Sequence, residues 1–295
     1  MSDAARMLTP ENVRVVSELR HRLALGLDCR DAVSGLAAGG PLVAELESIG
    51  PFAFTPDRRL DAHGGTRFAL AWAGRVRRLM DLAVQRGVAG DWVVRLHADA
   101  AGANARWDAR RDARRHVPRR LKLRPTLAAG VPVTGRANAR ACRLFPGATF
   151  PLIGAATALR GRVMHDATTP MPWARVIATM PANQQNLPQA RVVGRGMADD
   201  RGDYLLVLGP RAVSGAQLPP AAQIRLWAFG PATPPPLDGP DPLAGLPVED
   251  AGETADGPVL RGEAIPPAFT RSVSRIVALP FSTVVSGADA TLTLP

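Results

Sequence analysis

Short runs in which apolar and polar residues alternate recur along the whole chain, and this period of two predicts β-strands with one buried face. In the first hundred residues the runs follow one another at roughly ten-residue spacing, separated by Gly, Asp and Ser. Regular short strands of this kind favour a β-sandwich over an α/β sheet. The strands predicted in this half are 23–27, 42–46, 52–54, 67–72, 76–84 and 91–98.

The same alternation resumes near Ala158, after a less regular stretch. Between the two halves, residues 119–123 form a candidate edge strand and residues 125–151 an irregular connection. Residues 231–267 are rich in Pro, Gly and acids, and they predict an extended or mobile excursion because Pro cannot donate to a central strand. The strands predicted in the second half are 159–164, 174–180, 192–193, 204–208, 224–229, 272–279 and 290–294.

These elements predict a mostly β protein of two tandem β-sandwich domains, of Greek-key, transthyretin-like or immunoglobulin-like type. Thr9, Pro10 and Glu11 predict the start of an N-terminal helix, since they supply a capping hydroxyl and a favourable first turn. The predicted organisation is a helix in 1–22, a first sandwich in 23–100, a basic connector in 101–154, and a second sandwich in 155–295 that contains the Pro-rich loop 231–267. The predicted core includes Phe68, Leu70, Trp92, Val176, Leu206 and Trp227.

Turn signals in the two halves echo each other. Residues 31–35 and 166–170 each follow a strand and begin with Asp, whose side chain can bond the local backbone. Gly64 and Gly202 each precede a strand with an aromatic residue and predict a hairpin bend. The echo favours a duplicated domain, although Asp and Gly turns are also common in unrelated β domains.

Three sequence runs carry a resemblance to a known family: LRGRV at 159–163, ARVIA at 174–178 and DDRGDYLLVL at 199–208. With them, residues 158–229 resemble a carboxypeptidase regulatory-like (transthyretin-like) domain. The resemblance implies a small Greek-key sandwich that serves as a folding or interaction accessory, without catalytic residues of its own. The polar loop at 181–189 and the Pro-rich stretch depart from the family pattern.

Composition agrees with a globular protein and narrows its location. The 295 residues are 46% hydrophobic but only 5% aromatic, and Gly and Pro number 28 each, which favours turns and short strands. No apolar run approaches the ~20 residues of a membrane helix, and the first residues do not resemble a secretory signal, so we expect a cytoplasmic protein that does not enter a membrane. Cys29 and Cys142 predict buried, reduced thiols, with a bridge between them as the alternative.

Basic residues concentrate in one segment. Residues 101–150 hold 12 basic and two acidic residues, whereas the remainder balances 24 against 24, so this segment accounts for the net charge of +10. A solvated connector is the simplest interpretation of this segment, and an acidic protein surface as partner is the functional one. Nucleic acid is a third reading, against which the scarcity of stacking aromatics argues. The candidate partner-binding residues are Arg106, Arg110, Arg111, Arg114, Arg115, Arg119, Arg120, Lys122 and Arg124.

The residues of chemical interest do not combine into a catalytic motif. The five histidines are not spaced as zinc ligands, and a nucleophile-elbow GxSxG motif is missing. The Gly-Arg-Gly at 194–196 lacks the Lys of a phosphate loop, and Asp199, Asp200 and Asp203 predict a turn rather than a cation site. We therefore expect no catalytic residue, no cofactor and no metal ion.

The sequence favours a non-enzymatic structural or adaptor protein that binds other protein subunits in a larger assembly. Domains of the regulatory-like type occur, by family analogy, in accessory proteins of phage-tail-like contractile injection systems. A carbohydrate-binding or surface-adhesion β-sandwich is the alternative, and an unrecognised enzyme is the third reading.

Overall fold

The computed structural model describes residues 22–88, 90–98, 114–133, 135–152, 154–209, 220–237 and 241–295. The predicted N-terminal helix, apart from residue 22, lies outside the described residues, as does most of the first part of the basic connector. Eighteen strands and one α-helix, α1 (Gly74–Gln85), make up the described part. Three short 3-10 helices lie at Gly135–Asn138, Leu187–Gln189 and Pro242–Gly245.

The strands follow the predicted alternation in most places. Those of the first half are β1 Leu23–Asp31, β2 Leu42–Ile49, β3 Phe52–Arg59, β4 Asp61–His63, β5 Arg67–Ala71, β6 Trp92–Ala98, β7 Arg119–Leu123, β8 Leu127–Ala128, β9 Val131–Pro132 and β10 Ala139–Leu144. Those of the second half are β11 Ala158–Met164, β12 Arg175–Met180, β13 Arg191–Met197, β14 Asp203–Val207, β15 Ala221–Gly230, β16 Val248–Gly252, β17 Arg271–Pro280 and β18 Val284–Thr293.

Four sheets contain all of these strands except the small β8–β9 ribbon. We call the sheets β10-β1-β5-β4 and β16-β7-β6-β2-β3 the first sheet pair, and the sheets β14-β11-β18 and β13-β12-β15-β17 the second sheet pair. Within each pair the inner faces of both sheets contribute to one hydrophobic core. The protein is therefore mostly β, and its architecture is consistent with the β-sandwich class.

The strand orders of the two sheet pairs correspond. In the first pair, β1 lies between the antiparallel strand β5 and the parallel strand β10. In the second pair, β11 lies in the same way between the antiparallel strand β14 and the parallel strand β18. In each pair the second sheet holds the next strands in the same order, β7-β6-β2-β3 and β17-β15-β12-β13. The correspondence extends the echo found in the sequence to seven strands of each half.

The echoed turns also share their hydrogen bonds. Asp31 Oδ1 accepts from the backbone N–H groups two and three residues later, at 3.1 and 2.7 Å, and Asp166 Oδ1 does the same at 2.8 and 2.8 Å. Gly64, with φ of 67°, precedes β5, and Gly202, with φ of 75°, precedes β14. At Gly202 the left-handed backbone also comes so close to Val163 O that a side chain would not fit.

Five of the six predicted core residues are buried, and the prediction for Trp227 is wrong. Phe68, Leu70, Trp92, Val176 and Leu206 are all buried. On β15 the even-numbered residues Ile224, Leu226 and Ala228 face the core, so Trp227 lies on the opposite face and is only partly buried. There its indole Nε1 donates to Thr179 Oγ1 at 2.9 Å.

The strand predicted at 76–84 is instead the helix α1. Val76, Met80 and Ala83 recur at helical spacing and are the buried residues of α1, so the period of 3.6 rather than two governs this stretch. Its anchor is Met80, whose sulfur accepts a hydrogen bond from the indole Nε1 of Trp92 at 3.0 Å. At 12 residues, α1 is too short to span a membrane, and the described part of the chain has no other candidate span.

Three connections are more ordered than predicted. β7 is not an edge strand, because it pairs with β6 on one side and with β16 on the other. The stretch 125–151 contains β10, which pairs in parallel with β1 and places Cys142 beside Cys29. The Pro-rich stretch contributes β16, which joins the first sheet pair although its chain neighbours β15 and β17 belong to the second. β16 contains no proline and lies at the edge of its sheet.

Candidate partner-binding groove

Most described members of the basic segment are paired within the protein. Arg120 donates to Glu47, and Arg124 donates to Asp91 at 2.7 Å. Lys122 lies between Asp91 and Asp250, at 3.8 and 2.5 Å. Local acids therefore compensate the exposed face of β7, and its positive charge is smaller than the sequence suggests.

The remaining described members of the segment lie at the junction between the sheet pairs. Arg114 binds Asp200 through Nε and Nη2, at 3.1 and 3.0 Å, and so ties the connector to the turn before β14. Arg115 packs against Gly39 and Gly40 in the β1–β2 connection. Arg106, Arg110 and Arg111 lie outside the described residues.

Arg119 is buried and takes part in a charge triad. Its guanidinium donates to both carboxylate oxygens of Glu249 on β16, at 3.0 and 2.8 Å, and to the backbone oxygens of Arg143, Val259 and Leu260. Because its exposure is 1%, Arg119 is not accessible to a partner.

The triad is completed by Arg175 from β12, whose Nη2 lies 3.0 Å from Glu249 Oε1. Burial raises the pKa of Glu249, but Arg119 and Arg175 outweigh this effect and hold the pKa below its ordinary value. Glu249 thus stays ionised and links a strand of the first sheet pair to a strand of the second. Around it lies a third apolar cluster, to which both halves and the Pro-rich stretch contribute: Val117, Phe145, Trp173, Met197, Leu243 and Leu246.

A groove of about 280 Å³ opens beside this apolar cluster, between the two sheet pairs. We call it the junction groove. Arg143 of β10, Arg195 of β13 and Arg261 line it together with one carboxylate, Glu263. Its apolar lining is Ala32, Val33, Phe145, Val192, Val193 and Val207.

Local sequence explains how Arg195 reaches the groove. Gly194 and Gly196 flank it, and an added Cβ at either glycine would lie within 3.0 Å of β14, at Leu206 or at the carbonyl oxygen of Leu205. The glycines therefore allow β13 to approach β14 closely, while Arg195 between them points to the opposite face.

A turn places Arg261 and Glu263 beside Arg195 in the groove. Gly262, with φ of 66°, lies against the ring of Phe145, where a side chain would not fit. This close contact sets Arg261 and Glu263 on either side of it at the groove, where their side chains pair at 3.1 Å.

One exposed apolar side chain lies at the rim. The turn held by Asp31 presents Val33, which is 47% exposed and lines the groove. The second carboxylate oxygen of Asp31 lies 3.7 Å from Nε2 of the buried His116. The apolar rim is thus attached to a fixed turn and not to a loose loop.

The groove was not predicted, because its arginines are far apart in sequence. Arg143 belongs to the basic segment but was not among the candidates, and Arg195 and Arg261 come from a part of the chain with balanced charge. The Gly-Arg-Gly run was the one available signal, and only the strand order brings the three together.

Other polar clusters in the described residues do not form a metal site. Asp199, expected in a turn, accepts the backbone N–H groups of Arg201 and Asp203 at 2.8 and 3.0 Å. On the outer face of β2 and β6, His97 Nε2 lies 3.3 Å from Glu45. The part of the chain that the structure describes contains no group of three or more His, Cys, Asp or Glu residues able to hold a metal ion.

Comparisons with known proteins give only distant likenesses. No protein-family model and no curated protein matches the chain. Among solved structures, the TIE protein of Bacillus anthracis matches with 8% identity and a TM-score of 0.24, over 92% of this chain and 34% of that protein. GBS52, the minor pilin of Streptococcus agalactiae, matches with 9% identity and a TM-score of 0.20, over 92% and 94%.

A leucine-rich repeat protein from Bacteroides thetaiotaomicron matches with 8% identity and a TM-score of 0.18, over 92% of this chain and 26% of its own. This chain thus spans about a third or less of the length of two of the three structures. Similarity at this level carries no argument about function.

Proposed function

We propose that this protein is a non-enzymatic adaptor that binds other protein subunits, with the junction groove as its recognition surface. The protein would consist of two tandem β-sandwich domains, the second of the carboxypeptidase regulatory-like kind. The corresponding strand orders of the two sheet pairs support this division. The larger assembly would be of the phage-tail-like kind that the family analogy suggests.

The composition of the junction groove carries the proposal. Protein interfaces are enriched in Arg and in apolar side chains around a well-packed centre, and their energy is concentrated in a few such residues. Arg143 and Arg195 line the groove together with Val33, whose side chain is exposed. Three guanidinium groups against one carboxylate give the lining an excess of positive charge, which suits an acidic partner.

The basic segment has a smaller part in this proposal than its sequence suggests. Burial excludes Arg119 from contact, and acids of this chain already pair with Arg114, Arg120, Lys122 and Arg124. The net charge of 101–150 then serves to steer an acidic partner toward the groove, an effect that salt screens.

A cytoplasmic location is part of the proposal. Cys29 and Cys142 are register partners on neighbouring parallel strands, yet both are free thiols. Adjacent unbridged cysteines suit a reducing compartment.

A comparative pull-down tests the adaptor role. Tagged wild-type protein, the groove variant Arg143→Ser/Arg195→Ser and the control variant Arg67→Ser/Arg191→Ser would be used to recover partners from cells of the source organism. The control removes the same charge from exposed strand positions that are not part of the groove lining. We expect a defined set of proteins to bind the wild type and the control, and to be lost with the groove variant.

Two results would contradict the proposal. Recovery of the same proteins with all three forms would show that the groove does not recognise them. A wild-type protein that recovers nothing above a tag-only background would remove the adaptor role itself.

A further inference from the structure

The charges in the junction groove are unequally satisfied. Glu263 accepts from Arg261 at 3.1 Å, and Arg261 also reaches Asp256 at 3.3 Å. By contrast, Arg195 Nε is buried without a hydrogen-bond partner among the described residues. Burial lowers the pKa of Arg195 from its ordinary value, and the neighbouring Arg261 lowers it further, while Glu263 acts in the opposite direction. The groove therefore holds a half-buried cation, Arg195, whose Nε donor has no acceptor among the described residues.

Glu263 stands among three cations. Its pKa is held below the ordinary value, first by the hydrogen bond from Arg261 and then by the charges of Arg195 and Arg143, against the opposing effect of burial. The carboxylate is thus attracted by all three guanidinium groups, although it hydrogen-bonds to only one of them. A second carboxylate in the groove would meet two further guanidinium groups, Arg143 and Arg195, beside the pair that Arg261 forms with Glu263.

We propose that the junction groove binds an extended acidic peptide segment of the partner, with a carboxylate on Arg195 and Arg143, and that Glu263 occupies the groove as an internal competitor for that carboxylate. This proposal rests on the adaptor function and specifies the chemistry of its partner. The accessible part of the apolar lining, formed by Val33, Val192 and Val207, receives a nonpolar side chain next to the acidic one.

The size and lining of the groove favour a peptide over nucleic acid. A volume of about 280 Å³ lies just below the range of roughly 300–1,000 Å³ for small-molecule pockets. Glu263 would repel a run of phosphates, and the one aromatic residue of the lining, Phe145, is 3% exposed and unavailable for stacking on bases. Paired carboxylate and apolar side chains fit both parts of the lining.

If Glu263 competes with the peptide, removing Arg195 and removing the charge of Glu263 should change the peptide affinity in opposite directions. Arg195→Ser removes the unsatisfied cation and should weaken binding about tenfold or more, the usual effect of losing a charge-assisted hydrogen bond. Glu263→Gln keeps a hydrogen-bond acceptor for Arg261 but removes the competing charge, so it should strengthen binding several-fold. A merely structural role of this cluster would weaken binding in both variants.

Fluorescence anisotropy on the full chain measures these effects. The probes are a labelled hexapeptide of alternating Asp and Leu, the same peptide with Asn in place of Asp, inorganic phosphate as a competitor, and a labelled single-stranded oligonucleotide. Arg191→Ser is the control variant, because it lies on the same strand at an exposed position. Arg195→Lys keeps the charge but loses the planar fork, so it should give an intermediate affinity, and thermal melts show whether each variant is folded.

The expected result is that the Asp peptide binds, that the Asn peptide does not, and that phosphate competes only weakly. Equal affinity of Arg195→Ser and Arg191→Ser for the Asp peptide would overturn the proposal, as would weaker binding by Glu263→Gln. Binding of the oligonucleotide alone would assign the groove to nucleic acid. The Asp peptide could fail to bind while the groove variant still loses its partners in the pull-down. In that case only the peptide class is wrong, and the adaptor role stands.

Discussion

Single residues at the junction between the sheet pairs carry charges that are costly to bury. Asp199 is the clearest case, because its carboxylate is 2% exposed and its Oδ2 has no hydrogen-bond partner among the described residues. Arg114 lies 3.4 Å from that oxygen without completing a hydrogen bond. Burial, together with the charges of Asp200 and Asp203, raises the pKa of Asp199 to about 6 despite the bond from Arg201 N–H.

The raised pKa predicts that the contribution of Asp199 to stability falls as pH rises through the acidic range. Below pH ~4 Asp199 is protonated in both the folded and the unfolded state and does not change the free energy of unfolding. Between pH ~4 and 6 the unfolded chain loses this proton first, so the free energy of unfolding decreases. Above pH 6 the penalty is complete, at most about 3 kcal/mol for a shift of about two units. Asp199→Asn keeps the acceptor for the turn and removes this penalty.

Urea unfolding at pH 4.5 and pH 7 checks this expectation. The free energy of unfolding at pH 7, taken relative to its value at pH 4.5, should be higher in Asp199→Asn than in the wild type. Asp81→Asn, on an exposed face of α1, is the control and should leave the pH dependence unchanged. An unchanged pH dependence in Asp199→Asn would show that Asp199 titrates normally.

At the residue scale, the sequence predicted the buried apolar side chains well. It predicted less well which polar side chains form buried ion pairs or line the groove. Phe68 and Trp92 were predictable because alternation assigns a face to each position. Trp227 shares its face of β15 with Gln223 and Arg225, so the same alternation places it outside the core, and the prediction overlooked this signal. Arg119 and Arg195 are both arginines in basic or glycine-rich surroundings, and only their partners in space make one of them structural and the other a candidate contact.

At the scale of elements, β16 is the least expected and the most informative. Its five residues follow a Pro-rich stretch and alternate only weakly, and their pairing with β7 depends on a strand more than a hundred residues earlier. Such a long-range parallel pair leaves no local signal. The strand prediction at α1 was wrong for a different reason. Val76, Met80 and Ala83 recur at helical spacing, and the prediction did not test that period.

Glu249 should be the residue on which the position of β16 most depends. Glu249→Gln removes the counter-charge of Arg119 and Arg175, both of which are buried, and leaving a buried charge unpaired costs about 3–5 kcal/mol. Asp250→Asn on the same strand breaks only a pair that is partly open to solvent, worth up to about 1 kcal/mol. Urea unfolding at pH 7 measures both, and equal losses in the two variants would contradict the role of the triad.

At the scale of the whole molecule, the two sheet pairs are held together by three kinds of contact. β16 brings a strand of the later chain into the first sheet pair, the triad around Glu249 links β7 to β12, and Arg114 binds the turn before β14. The apolar cluster around Phe145 and Trp173 fills the space between them. Sequence-based division into two domains and a connector describes the strand order but misses this coupling, because every one of these contacts is long-range.

These contacts predict that the whole protein unfolds in one cooperative step, although chains with two separate cores commonly unfold in two. Separating the sheet pairs would expose the shared apolar cluster and leave the charges of the triad without partners, so neither half gains by unfolding alone. Differential scanning calorimetry of the wild type should show a single transition whose van't Hoff and calorimetric enthalpies agree. The double variant Arg114→Ser/Glu249→Gln breaks both ionic links between the halves and should show two resolved transitions, while Asp250→Asn should keep one. Two transitions in the wild type would mean that the halves are independent, and the junction groove would then lie between bodies that move relative to each other.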